Sequence, residues 1–431
     1  MVDSTGRDAV AAVWRIESAR IIGALARYTG DFALAEDLAQ EALAEALVTW
    51  PRDGVPDNRA GWLLTVGRRR AIDTFRRRAT RDDRYRALAH ELGEGGTATG
   101  APPSELPGAE PLWDPDQIDD DVLALMFVSC HPVLSRAAQV ALTLRVVGGL
   151  TSDEIAKAFL VPTATVQARI TRAKKTLAAA KVPFALPPAE ERGARLGAVL
   201  NVIYVIFTEG SSATSGANLI RLDLAAEAQR LARVLARLIP GEPEIYGLLA
   251  LLELTAARFP ARTDASGQPV LLADQNRMRW DRAAIRRGRA ALEHAAGVGR
   301  GLGAYGLQAA IAECHAVAES VDTTDWDRIV LLYEALGRLS PSPIVDLNRA
   351  VAVSMVQGPA AALEVVDELK TSAALPNSHL LSSVRGELLA RMGRTNEART
   401  EFELAIGLCG NDRERNLLNG KLADLDRFRE A

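Results

Sequence analysis

Cysteine is scarce in this chain of 431 residues: the three cysteines are Cys130, Cys314 and Cys409, and no two of them form a C-x-x-C pair. Their separation gives no zinc signature, and it suits a protein of the reducing cytosol. Cys130-His131 and Cys314-His315 look suggestive, but the side chains of adjacent residues are poor chelators. We interpret both pairs as structural and expect no metal site.

The chain also has no long apolar run. Its most apolar stretch, Leu196 to Phe207, is interrupted by Asn201 and is far too short to span a bilayer. The N-terminal sequence MVDSTGRDAV lacks the basic-then-apolar pattern of a secretory signal. We therefore expect a cytoplasmic protein that does not engage a membrane.

Catalytic motifs are missing as well. The chain has no glycine-rich phosphate loop, no HExxH or GxSxG sequence and no cluster of metal ligands. Acidic residues of the C-terminal half, among them Glu209, Asp274 and Asp281, are not paired in the sequence. We therefore expect a protein that is not an enzyme and that carries no cofactor.

Positive charge is concentrated in short segments. The 51 Lys and Arg residues and 55 Asp and Glu residues leave a net charge of −4, which argues against a general nucleic-acid coat protein. Between Trp62 and Arg86, however, WLLTVGRRRAIDTFRRRATRDDRYR places nine arginines against three aspartates. Such a segment can neutralise several DNA phosphates, and Trp62, Phe75 and Tyr85 can stack on unpaired bases. The alternative is a solvated charged face beside core aromatics.

A second basic segment, LTSDEIAKAFLVPTATVQARITRAKK, predicts two short helices joined by a turn. Thr151 and Glu154 form a capping box that begins the first helix, Pro162 ends it, and Thr163 or Thr165 can cap the second. A second helix that exposes amide, hydroxyl and cationic groups suits the DNA major groove, although an ordinary helical hairpin with a solvated basic face has the same pattern. Its inward residues are Val166, Ile170, Ala173 and Leu177, and its outward residues are Gln167, Arg169, Thr171, Arg172, Lys174 and Lys175.

An acidic helix is predicted upstream of both basic segments. In DFALAEDLAQEALAEALVTW, residues 31–50, apolar side chains recur at helical spacing as an inward stripe. Acidic and amide side chains gather on the opposite face together with leucines, a combination that suits a protein partner better than DNA. A plain solvated helix face is the alternative. The inward stripe is Phe32, Ala35, Ala39, Leu43, Ala46 and Trp50, and the outer face holds Leu34, Asp37, Leu38, Gln40, Glu41 and Glu45.

These segments together resemble a known family. AEDLAQEALAEALVTW followed by GWLLTVGRRRAIDTFRRR is similar to region 2 of the extracytoplasmic-function (ECF) sigma factors of bacterial RNA polymerase. LSRAAQVALTLRVVGGLTSDEIAKAFLVPTATVQARITRAKKTL is similar to region 4. The resemblance implies an all-α fold, with a region 2 helical bundle at 8–87, a region 4 helix-turn-helix domain at 119–182 and a helical regulatory domain at 183–431, as in a subgroup with a long C-terminal extension.

The resemblance also implies roles for individual residues. The acidic helix docks on core polymerase, the arginine-rich segment engages the −10 element, and the second helix of the helix-turn-helix reads the −35 element. Two positions depart from the family, because Arg69 stands where many members have Asn, and Leu160 stands where the turn often has Gly. The expected contacts are Asp37, Leu38, Gln40 and Glu41 for core polymerase, Trp62, Arg69, Asp73 and Arg76 for the −10 element, and Thr165, Gln167, Arg169 and Arg172 for the −35 element.

Residues 88–118 are predicted to form an acidic linker that is rich in Gly and Pro. This composition cannot build a core, so we expect an extended segment. It is either a plain solvated tether or, as in similar sigma linkers, an acidic strand that threads a positively charged channel of the polymerase.

The C-terminal half is rich in Ala and Leu at helical spacing, is interrupted by Gly and Pro, and has no alternating β pattern. Gly386, Gly393, Ala398, Phe402 and Ala405 follow the spacing of tetratricopeptide (TPR) helix pairs, and a looser match lies about one repeat earlier. We therefore predict a TPR-like α-solenoid with a concave surface. The polar or aromatic residues expected there are Arg277, Trp280, Asp281, Gln308, Asn348 and Arg349.

Two functional hypotheses follow from these features. In the first, the chain is a sigma factor whose partners are RNA polymerase core enzyme and promoter DNA, regulated by its own C-terminal domain through an intramolecular contact with regions 2 and 4 or through another partner. In the second, it is a one-component helix-turn-helix regulator whose tail senses a ligand or peptide. The second leaves the acidic helix and the arginine-rich segment without a role.

Overall fold

The computed structural model describes residues 3–91, 115–159, 161–211, 222–264, 270–373, 375–376, 378–410 and 412–430. Helices form the regular structure of these residues, no β-strand occurs among them, and the predicted all-α class is confirmed. Most of the predicted linker, residues 92–114, and the turn residue Leu160 lie outside the described residues. The chain divides into two compact units, Met1–Val202 and Ile203–Ala431.

The first unit contains the predicted region 2 and region 4 segments. Both ends of the predicted linker are helical, which corrects the expectation of an extended segment over all of 88–118. The third helix continues to Glu91, and the fourth begins at Pro115. The helices are α1 (Asp3–Thr29), α2 (Phe32–Asp53), α3 (Arg59–Glu91), α4 (Pro115–Ser129), α5 (Arg136–Val146), α6 (Ser152–Phe159), α7 (Thr163–Ala179) and α8 (Ala189–Ser211), which continues into the second unit.

Helix α2 forms as its sequence predicts. The Asp31 carboxylate accepts a hydrogen bond from the backbone N–H of Leu34 at 3.0 Å and so caps the first turn. The helix ends at Asp53, and the next residue, Gly54, has a φ of +94° that favours glycine. Each large apolar side chain that is fully buried in such a stripe contributes about 1.5–3 kcal/mol. The inward stripe is confirmed for Phe32, Ala35, Ala39, Ala46 and Trp50, which are at most 6% exposed, and Leu43 is half-buried.

Helices α6 and α7 form the predicted helix-turn-helix. The capping box is confirmed, because Glu154 N–H donates to Thr151 Oγ1 at 3.1 Å and Thr151 N–H donates to the Glu154 carboxylate at 2.8 Å. The predicted threonine cap of α7 is wrong. The helix begins directly after Pro162 without a side-chain cap, and the Thr163 hydroxyl donates to the Asp153 carboxylate instead. The inward stripe of Val166, Ile170, Ala173 and Leu177 is confirmed by its burial.

Helix α1 supports the region 4 segment at two close approaches. A Cβ on Gly23 would lie 3.0 Å from the Asp121 Cβ of α4, and a Cβ on Gly149 would lie 2.6 Å from the Ser18 hydroxyl. Buried Asp121 pairs with Arg27 of α1, with 3.1 Å between Nε and Oδ2. Burial raises the pKa of Asp121, and the Arg27 guanidinium opposes that shift. The region 2 and region 4 segments are therefore packed together within one unit.

The described part of the second unit is a succession of helices, and residues 257–264 and 270–281 contain three short 3-10 turns. No helix within the described ranges combines the length and the apolar character that a membrane crossing needs. The helices are α9 (Leu222–Leu238), α10 (Pro243–Ala256), α11 (Arg282–Gly297), α12 (Ala304–Val317), α13 (Trp326–Leu339), α14 (Pro343–Val356), α15 (Pro359–Thr371), α16 (His379–Arg391), α17 (Thr395–Leu408) and α18 (Asp412–Glu430), and the 3-10 turns are Phe259–Ala261, Leu272–Asp274 and Arg277–Arg279.

The predicted helix pairs are present near the C-terminus. A Cβ on Gly386 of α16 would lie 2.9 Å from a ring carbon of Phe402 on α17, so only glycine allows this close approach. Phe402 is 1% exposed and fills the space between the two helices. Gly358 and Gly393 precede α15 and α17 with φ of +87° and +74°, which allows tight turns between neighbouring helices.

Candidate nucleic-acid interface

Helix α2 presents the predicted acidic face with one exception. The Asp37 and Glu41 side chains are 63% and 54% exposed. Leu38 is 2% exposed, so the expectation of a leucine on the outer face is wrong at this position. It stands three residues after buried Ala35 and therefore shares the inward stripe. Gln40 is half-buried, and its Nε2 has no hydrogen-bond partner within the described part of the chain.

A lysine of α7 reaches α2. Lys174 Nζ lies 2.7 Å from Glu36 Oε2 and 2.5 Å from Asp37 Oδ1, and Arg145 Nε of α5 lies 3.4 Å from Glu36 Oε1. We call these four residues the α2–α7 bridge. Burial alone would lower the pKa of Lys174, but the attraction of Glu36 and the hydrogen bonds that Lys174 donates to both carboxylates raise it. The predicted outward position of Lys174 is therefore wrong, because only 15% of its side chain is exposed.

Arg69 and Arg70, near the start of the arginine-rich segment, also bind α2. Arg69 Nη2 lies 2.8 Å from Glu45 Oε1, and Arg70 lies 2.7 Å from Glu45 Oε2 and 3.0 Å from Glu41 Oε2. The hydrogen bond from Arg70 is the main reason why the pKa of Glu45 is lowered. Two of the acids on the outer face of α2 therefore neutralise part of the arginine-rich segment.

The remaining residues of the −10 segment differ in exposure. Trp62 is half-buried and meets Trp50 edge to face, with ring centroids 5.6 Å apart. Asp73 is half-buried, whereas Arg76 is exposed. The side chains of Arg81, Arg84, Tyr85 and Arg86 lie outside the described residues.

The predicted −35 residues lie on α7, away from its buried stripe. Gln167 and Arg172 are exposed, and Thr165 and Arg169 are half-buried. Arg169 and Arg172 line a shallow groove together with Ser135, the residue that precedes α5. Arg172 Nε also donates to the backbone carbonyl of residue 168 at 3.2 Å, which orients its guanidinium along the helix. These side chains can reach base edges and phosphates without rearranging the core.

The residues predicted for a concave surface of the tail do not form one cluster. Trp280 is 2% exposed, and the Asp281 carboxylate caps α11 by accepting from residues 283 and 284. Gln308 donates to the carbonyl of residue 304, and Arg349 lies 3.8 Å from a carboxylate one turn earlier. Asn348 is exposed.

Three potential metal ligands meet near the C-terminus. The ligand atoms of His379, Cys409 and Glu414 lie within 4.8 Å of one another, and the His379 and Glu414 atoms are 3.3 Å apart. The sequence shows no C-x-x-C or C-x-x-H spacing here because the three residues belong to different helical segments. The geometry is equally that of a histidine–carboxylate ion pair beside a buried thiol. By contrast, Cys130 is a buried structural thiol, and burial raises its pKa to about 11.

Three segments of the chain match known protein families. Residues 15–81 match Sigma-70 region 2, residues 124–177 match Sigma-70 region 4, and residues 195–296 match a family of unknown function, DUF6596. A relative named "Probable ECF RNA polymerase sigma factor SigI", in two strains of Mycobacterium tuberculosis, is 26% identical over 43% of this chain and 60% of its own length. An uncharacterized protein of Rhizobium meliloti (strain 1021) is 45% identical over 91% of this chain and 90% of its own length. The chain belongs to the ECF sigma factors.

This sigma factor carries a C-terminal helical extension. One solved structure can be compared with the chain as a whole. A tetratricopeptide repeat protein from Parabacteroides merdae is 13% identical, with a TM-score of 0.33, over 64% of this chain and 98% of its own length.

Proposed function

We propose that this sigma factor works in the cytoplasm, where it directs RNA polymerase core enzyme to specific promoters, and that its C-terminal helical domain regulates that activity. The observation that supports the proposal is that two helices of the first unit expose different kinds of side chain. Helix α2 exposes the carboxylates of Asp37 and Glu41, while α7 exposes Gln167 and Arg172. The two faces have opposite charge and so suit different partners.

The acidic face of α2 is suited to a basic surface of the polymerase. Asp37 and Glu41 are exposed enough to exchange their present cations for those of a partner. Gln40 adds an amide that lacks a partner within the described residues. Leu38 supports the helix from the inside, and we propose a packing role for it in place of a direct contact.

The basic faces are suited to promoter DNA. Arg76 and the neighbouring exposed arginines of α3 provide cations for phosphates beside the −10 element. Half-buried Trp62 is positioned to support an unpaired base, and Gln167, Arg169 and Arg172 provide the donors that read base edges at the −35 element. The chain contributes binding and positioning, and it catalyses no reaction of its own.

In vitro transcription with purified core polymerase tests this proposal. Asp37→Ala should weaken core binding, and Arg172→Ala should weaken recognition of the −35 element by about 1–3 kcal/mol, as for loss of a base contact. Asp53→Asn and Arg192→Ala change exposed residues outside these faces and serve as matched controls. Full activity of both Asp37→Ala and Arg172→Ala would contradict the assigned roles.

A competition experiment distinguishes a sigma factor from a one-component regulator. A sigma factor must compete with other sigma factors for core polymerase, whereas a one-component regulator binds DNA without displacing them. Retention of the full chain on immobilised core enzyme, and its release by a second sigma factor, would support the proposal. Promoter binding that is independent of core enzyme would favour the alternative.

Regulation by the tail is tested by truncation. A chain that ends after Lys181 lacks all of α8, whereas one that ends after Ser211 keeps this helix, which spans the boundary between the units. Higher activity of both truncated chains would indicate autoinhibition by the tail, and lower activity would indicate a positive role. Unchanged activity of both truncated chains would contradict the proposed regulation by the C-terminal domain.

A further inference from the structure

Of the four arginines in the connection between α10 and α11, three are half-buried, and neither DNA binding nor polymerase binding uses them. Arg258 follows α10, Arg262 follows the first 3-10 turn, and Arg277 begins the third. We call these residues the arginine cluster.

Two members of the arginine cluster, Arg258 and Arg277, lie against Trp280. This tryptophan is 2% exposed, and the guanidinium carbons of Arg277 and Arg258 lie 4.8 and 5.6 Å from its ring centroid. Cation–π contact of this kind holds a guanidinium in place but adds no negative charge. Two cations are therefore kept together on one aromatic ring.

The hydrogen bonds of the arginine cluster use only part of its capacity. Arg277 Nη1 donates to the carbonyls of His315 and Ala318, each at 2.7 Å, whereas its buried Nη2 has no partner among the described residues. Arg262 Nη1 donates to a carbonyl at residue 211 at 2.8 Å. Arg258 Nε has a long contact of 3.4 Å with the amide oxygen of Gln275.

No carboxylate within the described residues forms an ion pair with the arginine cluster. Burial lowers the pKa of all three guanidiniums, and for Arg258, which falls to about 10, repulsion by Arg262 and Arg277 adds to the effect. Glu414 attracts Arg262 without contacting it. Desolvated cations that lack a counter-charge are costly to retain, and an anion beside the two guanidiniums that share the Trp280 ring would offset this cost.

Two further polar nitrogen atoms lie beside the arginine cluster, the Trp280 N–H donor and a ring nitrogen of His315. Trp280 Nε1 is buried without a hydrogen-bond partner in the described part of the chain, and so is Nδ1 of His315. Burial and the nearby Arg258 and Arg277 lower the pKa of His315 to about 4, so the ring is neutral at pH 7. The unpartnered nitrogen atoms and the arginines thus belong to the same neighbourhood.

We propose that the arginine cluster is a binding site for a phosphoryl group, with Arg258, Arg262 and Arg277 as its cationic ligands and Trp280 Nε1 as a further donor. A phosphate dianion offers several strong acceptor oxygens, and the planar guanidinium fork matches them. The occupant is either inorganic phosphate or the phosphate ester of a small metabolite. The site makes the tail a sensor of a phosphorylated ligand, and it stands whether or not the tail controls transcription.

A structural role accounts for two of the three arginines, because Arg262 donates to the carbonyl of the last residue of α8. Arg277 closes the C-terminal end of α12 by binding its last carbonyls, and a single cation is enough for that purpose. Arg258 makes no comparable contact. Two cations placed beside Arg277 would destabilise such a cap, whereas they are required for a dianion.

Isothermal titration calorimetry on the full chain tests the site. Inorganic phosphate should bind the wild-type chain with heat that sodium chloride at equal ionic strength does not produce. Arg258→Gln and Arg262→Gln should each raise the Kd by at least about tenfold, corresponding to about 1.4 kcal/mol. Arg286→Gln, an exposed change on the neighbouring helix, should leave the Kd unchanged. Equal affinity of wild-type and Arg258→Gln chains would overturn the assignment.

The titration of His315 gives a second readout that a structural role would not produce. With only five histidines in the chain, its ring protons can be assigned by comparison with His315→Gln. Saturating phosphate should raise the measured pKa of His315, because a bound dianion offsets the two guanidiniums. If the pKa of His315 were unchanged at saturating phosphate, the phosphate would bind elsewhere and the proposal would be refuted.

Parallel titrations identify the source of the phosphoryl group. Glycerol phosphate that binds more tightly than inorganic phosphate, with the same loss in Arg258→Gln, supports an ester ligand. Tighter binding of inorganic phosphate supports the free ion. Succinate that binds when neither phosphate compound does would refute the phosphoryl assignment.

Discussion

The α2–α7 bridge gives the sharpest prediction about the first unit. Lys174→Met removes the ammonium that binds Glu36 and Asp37 but keeps an unbranched side chain of similar length. The region 4 segment should then separate from the region 2 segment more readily. Because Asp37 is also a proposed polymerase contact, the substitution should strengthen binding to core enzyme.

The magnitude follows from the burial of the two carboxylates. Removing one member of a buried ion pair costs about 3–5 kcal/mol when its partner is left uncompensated. Glu36 is 5% exposed, but Arg145 at 3.4 Å still compensates part of its charge. Asp37 is 63% exposed, and an exposed pair contributes only about 0–1 kcal/mol. We therefore expect Lys174→Met to destabilise the closed arrangement by about 1–3 kcal/mol, less than the full buried-pair value.

Hydrogen exchange and core binding measure this change. A shift of about 1–3 kcal/mol corresponds to a roughly five- to 150-fold change in the ratio of closed to open chains. Backbone amides of α2 and α7 should exchange faster in Lys174→Met, and the Kd for core polymerase should fall by no more than the same factor. Amides of α16 and α17, in the second unit, should exchange as in the wild-type chain.

Lys175→Met is the matched control. Lys175 is the next residue on α7 and is exposed, so its loss changes the net charge equally without touching the α2–α7 bridge. If both variants show the same exchange rates and the same affinity for core enzyme, the effect is one of net charge and the reasoning fails. Asp37→Ala should have the opposite effect on core binding, because it removes the contact itself.

The Lys174 arm of the bridge should also be insensitive to pH in the neutral range. The folded-state pKa of Lys174 is raised above its model-peptide value of 10.5. Its contribution to stability is therefore fully present below pH 10.5 and is lost only as the pH rises further. Near neutral pH, the ion pairs of Lys174 with Glu36 and Asp37 should therefore break only when another partner competes for these side chains.

Three other changes test the fold and its ionisation. Gly386→Ala should destabilise the tail by about 1–3 kcal/mol, since its Cβ meets Phe402, whereas Gly407→Ala in open space should stabilise it by about 0.5–1 kcal/mol, both measured by denaturant unfolding. Neutral His315, with its pKa lowered to about 4, should contribute up to about 3 kcal/mol of stability that is lost as the pH falls from 6.5 towards 4, and His315→Gln should flatten this dependence. Thr151→Ala should lower the unfolding free energy by about 1 kcal/mol in the same denaturant measurement, because it removes the capping box.

Local periodicity explains why much of the fold was predictable. The apolar stripe of α7 and the capping box at Thr151 depend on residues three or four positions apart, so the sequence displays them directly. The Gly386 and Phe402 pair was predictable for a related reason, since TPR helix pairs repeat at a fixed spacing.

Long-range pairing was not predictable. Lys174 and Glu36 are 138 residues apart, and nothing in either segment specifies the other. The only local signal was that Glu36 adjoins Ala35 on the inward stripe, where an unpaired carboxylate would be costly. Leu38 was predicted on the wrong face of α2 because the buried face of this helix is wider than one row of residues. The arginine cluster was missed apart from Arg277, because its members follow no helical period.

Helix α2 is the shared counter-ion of both basic elements in the first unit. Glu45 binds the arginine-rich segment through Arg70, and Glu36 binds the helix-turn-helix through Lys174. If a basic surface of the polymerase bound the exposed acids of α2, the arginines and the lysine that now pair with those acids would become available to DNA phosphates. If DNA phosphates bound these cations first, the acids would become available to the polymerase. The two binding events should therefore reinforce each other. By linkage, core enzyme must raise the affinity for promoter DNA by the same factor by which DNA raises the affinity for core enzyme.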